Sequence, residues 1–530
     1  MFWTRMKPYR GRLLLAMLSG ILLTAAFPKI DQGWIAWFAL VPLLLALRTT
    51  GGRAGFWLGM AAGMVHYLGL IYWTAYTMHL YGRLPWIQSV LVLLLFAAVL
   101  SLFLGGFAVL VGTLAYRPAH LVLVAPAAWV LIEWLRSWIL TGFPWELLGY
   151  SQYDHLWVIQ PADLFGVFGI SGLIVLFNAV LTLALLYWAE KPWQRHGVPR
   201  GMVVIGGLLV AGLLVGTAAY GLFRIRHIDA RIAEAEYADV AVVQGNIDQA
   251  QKWDASFQVL TTAKYKELSA AAAGGGAQLV IWPETATPFY LFHDKVLTQM
   301  VVQGIQDIGA DFIVGSPNVD LGGKAPVYYN SAYLIGADGQ VGGKYDKVHL
   351  VPFGEYVPMK RWLPFLGKMV AQVGDFQAGR QGSTLQWRQH PVGMLICYEA
   401  IFPELARDMA CNGAQLLVNI TNDAWFGRTS AAYQHFSMAV FRSVENRRFL
   451  ARAANTGISG FVDPNGRILA ATDLYKDAAL TARVHFLSQT TLYSRWGDYP
   501  LVLAVLTTLG GFAAARLKRS RHRESRPPGL

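Results

Sequence analysis

The chain is 530 residues long; 55% of them are hydrophobic, 13% are Phe, Trp or Tyr, and only 14% are charged. A soluble chain carries about 25% charged residues, so this composition excludes a wholly soluble protein, and the aromatic content excludes a disordered one. Two cysteines exclude a disulfide scaffold and any cysteine-rich zinc module, and the net charge of +12 takes its meaning from where it sits.

Residues 224–497 hold 25 Lys and Arg against 24 Asp and Glu, while the remainder holds 19 against 8. A nucleic-acid binder gathers its cations on a folded domain. Here they flank apolar runs, the pattern that orients membrane segments. The expected partner is therefore a lipid bilayer, with no nucleic acid. Uncharged runs cover 13–28, 32–47, 54–82, 84–116, 118–132, 164–189, 201–223 and 499–515. A spanning helix needs about 20 apolar residues. The third, fourth, sixth and seventh runs meet that outright, and the short ones rely on snorkelling Lys and Arg or a thinned bilayer. The reading is eight spans. The fifth runs on past Glu133 and Arg136, which share a helical face as either an intramembrane pair with a function or an interfacial pair near the outer surface.

With the N-terminus inside, 16 basic residues flank the spans on the inner side, among them Arg5, Lys7, Arg48, Arg117, Lys191 and Arg519. Six lie outside, counting Arg224, Arg226 and Arg231. Both termini are expected in the cytoplasm. This divides the chain into a membrane domain at 1–223 with seven spans, an outer domain at 224–497, and a C-terminal span with a basic tail at 498–530. The basic start and the apolar run 13–27 resemble a signal peptide, but seven further runs make an uncleaved anchor the expectation. The outer loop 137–163, with Phe143, Pro144, Trp145 and Trp157, suits the headgroup zone and is expected to be partly re-entrant.

From about residue 238 the pattern changes to short apolar, β-branched runs. Strands are expected at 239–243, 278–282, 311–315, 330–335, 392–397, 415–420, 458–462 and 468–471, and helices at 255–273, 293–308, 403–411 and 430–451. Alternating strands and helices with near-continuous apolar strands predict an α/β sheet covered on both faces. In such sheets reactive residues gather where strands end.

Three segments carry reactive side chains at or near those ends. Ile281-Trp282-Pro283-Glu284 places a carboxylate behind a strand-stopping proline; Lys344-Tyr345-Asp346-Lys347 precedes a second acidic segment ending in Glu355; Met394-Leu395-Ile396-Cys397-Tyr398-Glu399 ends a strand with a thiol and then a carboxylate. Glu284, Lys347 and Cys397 are 63 and 50 residues apart, so only the tertiary fold brings them together. Taken singly, each has an ordinary reading: a cap, a solvated cation, a buried thiol.

Taken in order, Glu284, Lys347 and Cys397 resemble the reactive set of the carbon–nitrogen hydrolase (nitrilase) superfamily. The flanking spans, the VPFGE motif at 351–355, the NITNDAWFG motif at 419–427 and the segment from Gln244 through Trp253 are similar to the apolipoprotein N-acyltransferase family within it. The resemblance implies a polytopic helical membrane domain plus an extramembrane α/β nitrilase-like domain, an αββα sandwich, on the periplasmic side of a bacterial inner membrane. It implies a phospholipid acyl donor and, as acceptor, the α-amine of a diacylglyceryl-modified N-terminal Cys on a lipoprotein.

Acyl transfer through a thiol needs a thiolate, a base to generate it and positive charge where the oxyanion forms. Glu284 suits the base, Lys347 the oxyanion and Cys397 the nucleophile, with Glu355 and Glu399 orienting them. The family comparison adds Tyr398 and Trp425 as walls of an acyl cavity and Trp253 and Asn330 as residues shaping it; core packing accounts equally well for any one aromatic. Cys411 reads as a buried thiol, and a bridge to Cys397 would consume the nucleophile. The 12 His show no metal-ligand spacing and no glycine-rich phosphate motif occurs, so no metal or cofactor is expected. The stretch 357–370 (VPMKRWLPFLGKMV) alternates bulk with cations as an interfacial lid would, or forms a core helix or loop. Two further readings stay open: a membrane-tethered amidase using water, and a transporter, which needs charged or broken spans.

Overall fold

A computed structural model of the protein describes residues 2–357 and 375–524, with side chains over 9–357 and 375–513. The expected lid at 357–370 lies outside the described residues apart from Val357, which is buried. The chain forms two compact units. One comprises residues 1–72, 90–221 and 498–530; the other comprises Trp73–Ser89 and Leu222–Gly497.

Among the described residues four helices are long and apolar enough to cross a membrane: Trp86–Leu114, Pro118–Thr141, Ala162–Trp188 and Arg200–Glu234. The run expected as one span at 54–82 breaks instead into Gly52–Leu70 and Trp73–Leu80, bent by 52°. Gly33–Leu47 and Pro500–Ala513 form shorter apolar helices. In the first unit Glu133 and Arg136 are both buried and turn to the backbone of the following loop. Arg136 donates to the Trp145 carbonyl at 2.9 Å, and Glu133 accepts from the Leu148 amide at 2.6 Å. They therefore satisfy loop backbone that would otherwise be costly to bury. The loop itself packs inward, with Trp145 and Tyr150 buried, while Trp157 stays partly exposed.

Among its described residues the second unit holds twelve strands in two six-stranded sheets. The first runs β12-β1-β2-β3-β4-β5, from β1 (Tyr237–Gln244), β2 (Leu279–Ile281), β3 (Asp311–Asp320), β4 (Val327–Ile335), β5 (Val341–Asp346) and β12 (Ala478–His485). The second runs β11-β10-β9-β8-β7-β6, from β6 (Thr384–Trp387), β7 (His390–Ile396), β8 (Leu416–Thr421), β9 (Phe449–Ala454), β10 (Gly460–Val462) and β11 (Ile468–Ala471). Each has three parallel central strands, β1-β2-β3 or β7-β8-β9, and antiparallel flanks. Helices Ala255–Gly274 and Lys295–Ile308 pack on the first sheet, and Pro403–Cys411 and Ala431–Asn446 on the second. The result is the αββα sandwich.

The central strands are apolar on both faces because one face meets helices and the other meets the opposite sheet. Trp282, Phe312, Val314 and Tyr265 belong to the resulting core of the first layer. The helix expected to run to residue 451 ends at Asn446, where Arg447 takes a left-handed conformation (φ 53°) that turns the chain into β9.

Candidate active site

Glu284, Lys347 and Cys397 follow β2, β5 and β7, so strands from both sheets deliver them. Glu284 reaches its place because the chain after β2 lies hard against β3. A side chain on Gly315 would come within 2.1 Å of the Pro283 carbonyl and 2.8 Å of the Glu284 Cα, so only glycine admits that approach. Cys397 follows the end of β7 with φ 55°, a left-handed conformation rare for a non-glycine residue and often stored at reactive sites. It opens a tight turn, Cys397–Ile401.

Lys347 is 1% exposed, with its ammonium 3.0 Å from Glu355 Oε1 and 3.4 Å from Glu284 Oε1. Asn330 joins the same carboxylates, donating from Nδ2 to Glu284 Oε1 at 2.7 Å and to Glu355 Oε1 at 2.9 Å. The other oxygen of Glu284 accepts from the Asn422 amide at 2.9 Å, and that of Glu355 from the Val351 amide at 2.8 Å. Burial alone would push the lysine down, but Glu355 and Glu284 outweigh it and hold the ammonium well above its ordinary value. It is a permanent cation. Burial, and after it the Glu284 carboxylate, pushes the Cys397 thiol up, while Lys347 and a hydrogen bond with Thr421 oppose the rise. Burial and the neighbouring carboxylate thus favour the protonated thiol, and Lys347 favours the thiolate.

Glu399 ties the lysine and cysteine segments together. It accepts from the amides of Val348 (2.6 Å), His349 (3.0 Å) and Ile396 (2.6 Å) and from the Tyr345 hydroxyl (3.1 Å). The lysine segment and the cysteine turn are thereby held by one buried carboxylate, which burial raises to about 7.

Sequence reasoning missed two parts of the site. The first lies behind Cys397. His435 Nε2 is 3.0 Å from the Cys397 carbonyl, which only accepts, so Nε2 carries the proton. His435 Nδ1 lies 3.0 Å from Asp423 Oδ1 and 3.1 Å from Arg452, which donates to Asp423 Oδ2 at 2.8 Å. Burial, then Arg452, lowers the His435 pKa, while Asp423 and the Cys397 carbonyl oppose the fall. Asp423 and Asn422 stand within the NITNDAWFG motif, but nothing marks His435 in its helix. The second is Lys252, buried beside the expected Trp253 and donating to the Glu284 carbonyl at 3.3 Å.

The remaining expected residues are nearby in less direct roles. Tyr398 is half-buried, its ring 5.1 Å from Phe402 and 5.8 Å from His349. Trp425 is half-buried with its ring 5.1 Å from Tyr81, and its carbonyl accepts from Thr77. Trp253 is half-buried. Cys411, expected to be buried, is exposed at the end of its helix, because it occupies the last turn rather than the sheet-facing side; both cysteines are free thiols. Among the described residues no group of three or more His, Cys, Asp or Glu is arranged to hold a metal ion.

Residues 239–490 match the carbon-nitrogen hydrolase family, and residues 19–180 match the apolipoprotein N-acyltransferase N-terminal domain. The chain is 44% identical over 487 residues to an apolipoprotein N-acyltransferase of Geobacter metallireducens, covering 92% of this chain and 91% of the relative. It is 33% identical over 523 residues to that of Methylococcus capsulatus, covering 96% and 97%. A crystal structure of an amidase from Nesterenkonia sp. aligns with a TM-score of 0.37 at 21% identity, over 51% of this chain and 96% of that one. With one relative aligned at that identity along almost the whole of both chains, this protein belongs to the apolipoprotein N-acyltransferase family.

Proposed function

We propose that this chain is a membrane acyltransferase that moves a fatty acyl group from a phospholipid to the α-amine of a diacylglyceryl-modified N-terminal Cys, through a thioester on Cys397. Family membership supports the reaction class. The observation that carries the mechanism is the buried Lys347 held between Glu284 and Glu355 where β2, β5 and β7 deliver the three reactive residues. In the first half-reaction the Cys397 thiol gives its proton to a Glu284 oxygen, and the sulfur attacks the ester carbonyl carbon. Lys347 faces the oxyanion. The ester C–O bond then breaks, the leaving alkoxide takes the proton from Glu284, and a lysophospholipid departs. In the second, the amine attacks the thioester carbonyl, Glu284 accepts an amine proton, and the C–S bond breaks. That proton returns to the thiolate. Asn330 and the Asn422 amide keep both Glu284 oxygens aligned through the cycle, and Glu399 keeps lysine and cysteine in register.

The donor gives a physical reason for the membrane setting, since exposing an acyl chain costs about 0.8 kcal/mol per CH₂. We place residues 224–497 on the outer side of the inner membrane, with seven spans before them, one after them and both termini inside. Incubated with phospholipid, the purified protein is expected to gain one acyl group on Cys397, read by intact mass, and to pass it to a diacylglyceryl-Cys peptide. Cys397→Ala is expected to abolish capture, while Cys411→Ala, at an exposed position, keeps it. Capture by Cys397→Ala would overturn the thioester. Rapid discharge as free fatty acid, indifferent to the peptide, would favour an amidase-like hydrolase.

A further inference from the structure

Lys252 is a buried cation beside Glu284 that this mechanism leaves without a task. It sits in the loop after β1, is 1% exposed, and places its Nζ 3.3 Å from the carbonyl of Glu284, the residue assigned as base. A buried ammonium is costly unless negative charge compensates it. The acids on its own stretch are turned elsewhere: Asp248 accepts from the Ala250 amide at 2.7 Å, and Asp254 from the Ser256 amide at 2.9 Å. Its compensation comes from across the site, where Glu284 and Cys397 both act on it.

We propose that Lys252 is a positioning residue for this chemistry, a second buried cation that holds the Glu284 backbone and offsets the negative charge shared by Glu284 and Cys397. The inference rests on the thioester reading. The charge count supports it. Among the described residues, Lys347, Glu355, Glu399 and Asp423 are the other charged groups acting on the centre. Asp423 is neutralised by Arg452 at 2.8 Å, and Glu399 is spread over three backbone amides. The reacting set is then Glu284, Glu355, Lys347 and the thiol. With Lys347 alone, it carries one uncompensated negative charge, both before the thiol proton moves to Glu284 and after. Lys252 brings both states to neutrality, so neither the carboxylate base nor the thiolate has to exist as excess charge in a poorly solvated place. Burial holds the Lys252 ammonium down to about 8, with Glu284 and Cys397 opposing, so its charge is present at neutral pH and fades in mild alkali.

The test is the pH profile of single-turnover acyl capture. Lys252→Gln keeps a donor for the Glu284 carbonyl but removes the charge. Losing a cation raises the proton affinity of the carboxylate and the thiol together. The acid limb is therefore expected to move up by about one pH unit, with capture near neutral pH slowed about tenfold or more. Lys252→Arg is expected to keep the wild-type acid limb and to remove the alkaline fall that sets in near pH 8. A Lys252→Gln profile superimposed on wild type would overturn the inference. If the Gln variant does not fold, the Arg variant decides: an acid limb displaced upward, or an alkaline fall unchanged, overturns it. Cys397→Ala, run in parallel, separates the two levels. Capture without the thiol defeats the thioester reading, whereas a dead Cys397→Ala beside an unshifted Lys252→Gln defeats only the role of Lys252.

Discussion

Glu399 accepts hydrogen bonds at both oxygens with no exposure to solvent, and burial raises its carboxyl from the ordinary 4.5 to about 7. Between those values the folded protein holds a proton that the unfolded chain releases, so stability falls as pH rises. The contribution is complete below about 4.5 and is lost as pH climbs through about 7. A shift of that size corresponds to something on the order of 3 kcal/mol. Glu399→Gln has no proton to lose. Wild-type protein in detergent is therefore expected to lose more thermal stability between pH 5 and pH 8 than Glu399→Gln does, although the variant, having exchanged an acceptor for a donor, starts lower at pH 5. Parallel pH dependences in thermal unfolding would show that Glu399 is not the titrating group.

At the scale of elements, the helix Trp73–Leu80 shows how a short segment can hold a loop that touches Glu284. Thr77 Oγ1 donates to the Trp425 carbonyl at 2.8 Å, Tyr81 to the Ala424 carbonyl at 2.8 Å, and the Trp73 ring lies 4.9 Å from Phe426. The turn they grip, Asp423–Phe426, follows Asn422, whose amide aligns the Glu284 carboxylate. It closes on Gly427 at φ 61°, ψ −159°, a conformation essentially reserved for glycine, where a methyl group would come within 2.4 Å of the Tyr76 ring. Gly427→Ala is therefore expected to cost about 2 kcal/mol or more, roughly the strain of the backbone plus the clash, and to slow acyl capture. Adding Tyr76→Ala removes the clash but not the strain, so the pair is expected to be non-additive with partial recovery of thermal stability. Strict additivity would mean that the helix does not bear on the turn.

The same elements explain what was readable from residues alone. The central strands β1 to β3, β7 and β8 announce themselves as apolar runs because they are covered on both faces. Edge strands β5 (VGGKYD), β6 (TLQW) and β12 (AALTARVH) went unread: β5 carries Gly and Lys and β12 carries Arg in place of a continuous apolar signal, and β6 is only four residues long. β9 is central yet hidden, since Arg452 interrupts its apolar pattern and the boundary with the preceding helix rests on one left-handed residue, Arg447. In the site, Glu284 and Cys397 were readable because each ends or follows an apolar strand, and Lys347 because it falls between them in the order of the family pattern, its own strand β5 being unread. Lys252 was not, since it lies in a loop with no period, and His435 was not, because a lone histidine in a buried helix carries no pattern of its own.

At the scale of the whole molecule, charge has to be arranged so that one face of the membrane receives the chemistry. Within 224–497 the charges nearly cancel, at 25 basic against 24 acidic residues, so this segment has little positive charge to hold it in the cytoplasm. The rest of the chain keeps most of the excess, and its basic clusters alternate with the apolar helices. Retaining 16 basic residues on the inner side against six on the outer favours one orientation, although Arg224, Arg226 and Arg231 oppose it locally. Helix Arg200–Glu234 is long enough to absorb that opposition: at about 1.5 Å per residue its 35 residues span about 52 Å, well beyond the roughly 30 Å of hydrocarbon. Its charged C-terminal part, where Asp229 pairs with Arg467 at 2.6 Å, thus folds with the strands rather than with lipid. Reporter domains fused after Ala235 and after Ser525 are therefore expected to register opposite compartments, the first outside and the second in the cytoplasm. The same compartment for both would defeat the proposed orientation and, with it, the case that the thiol meets its lipid donor from the outer leaflet.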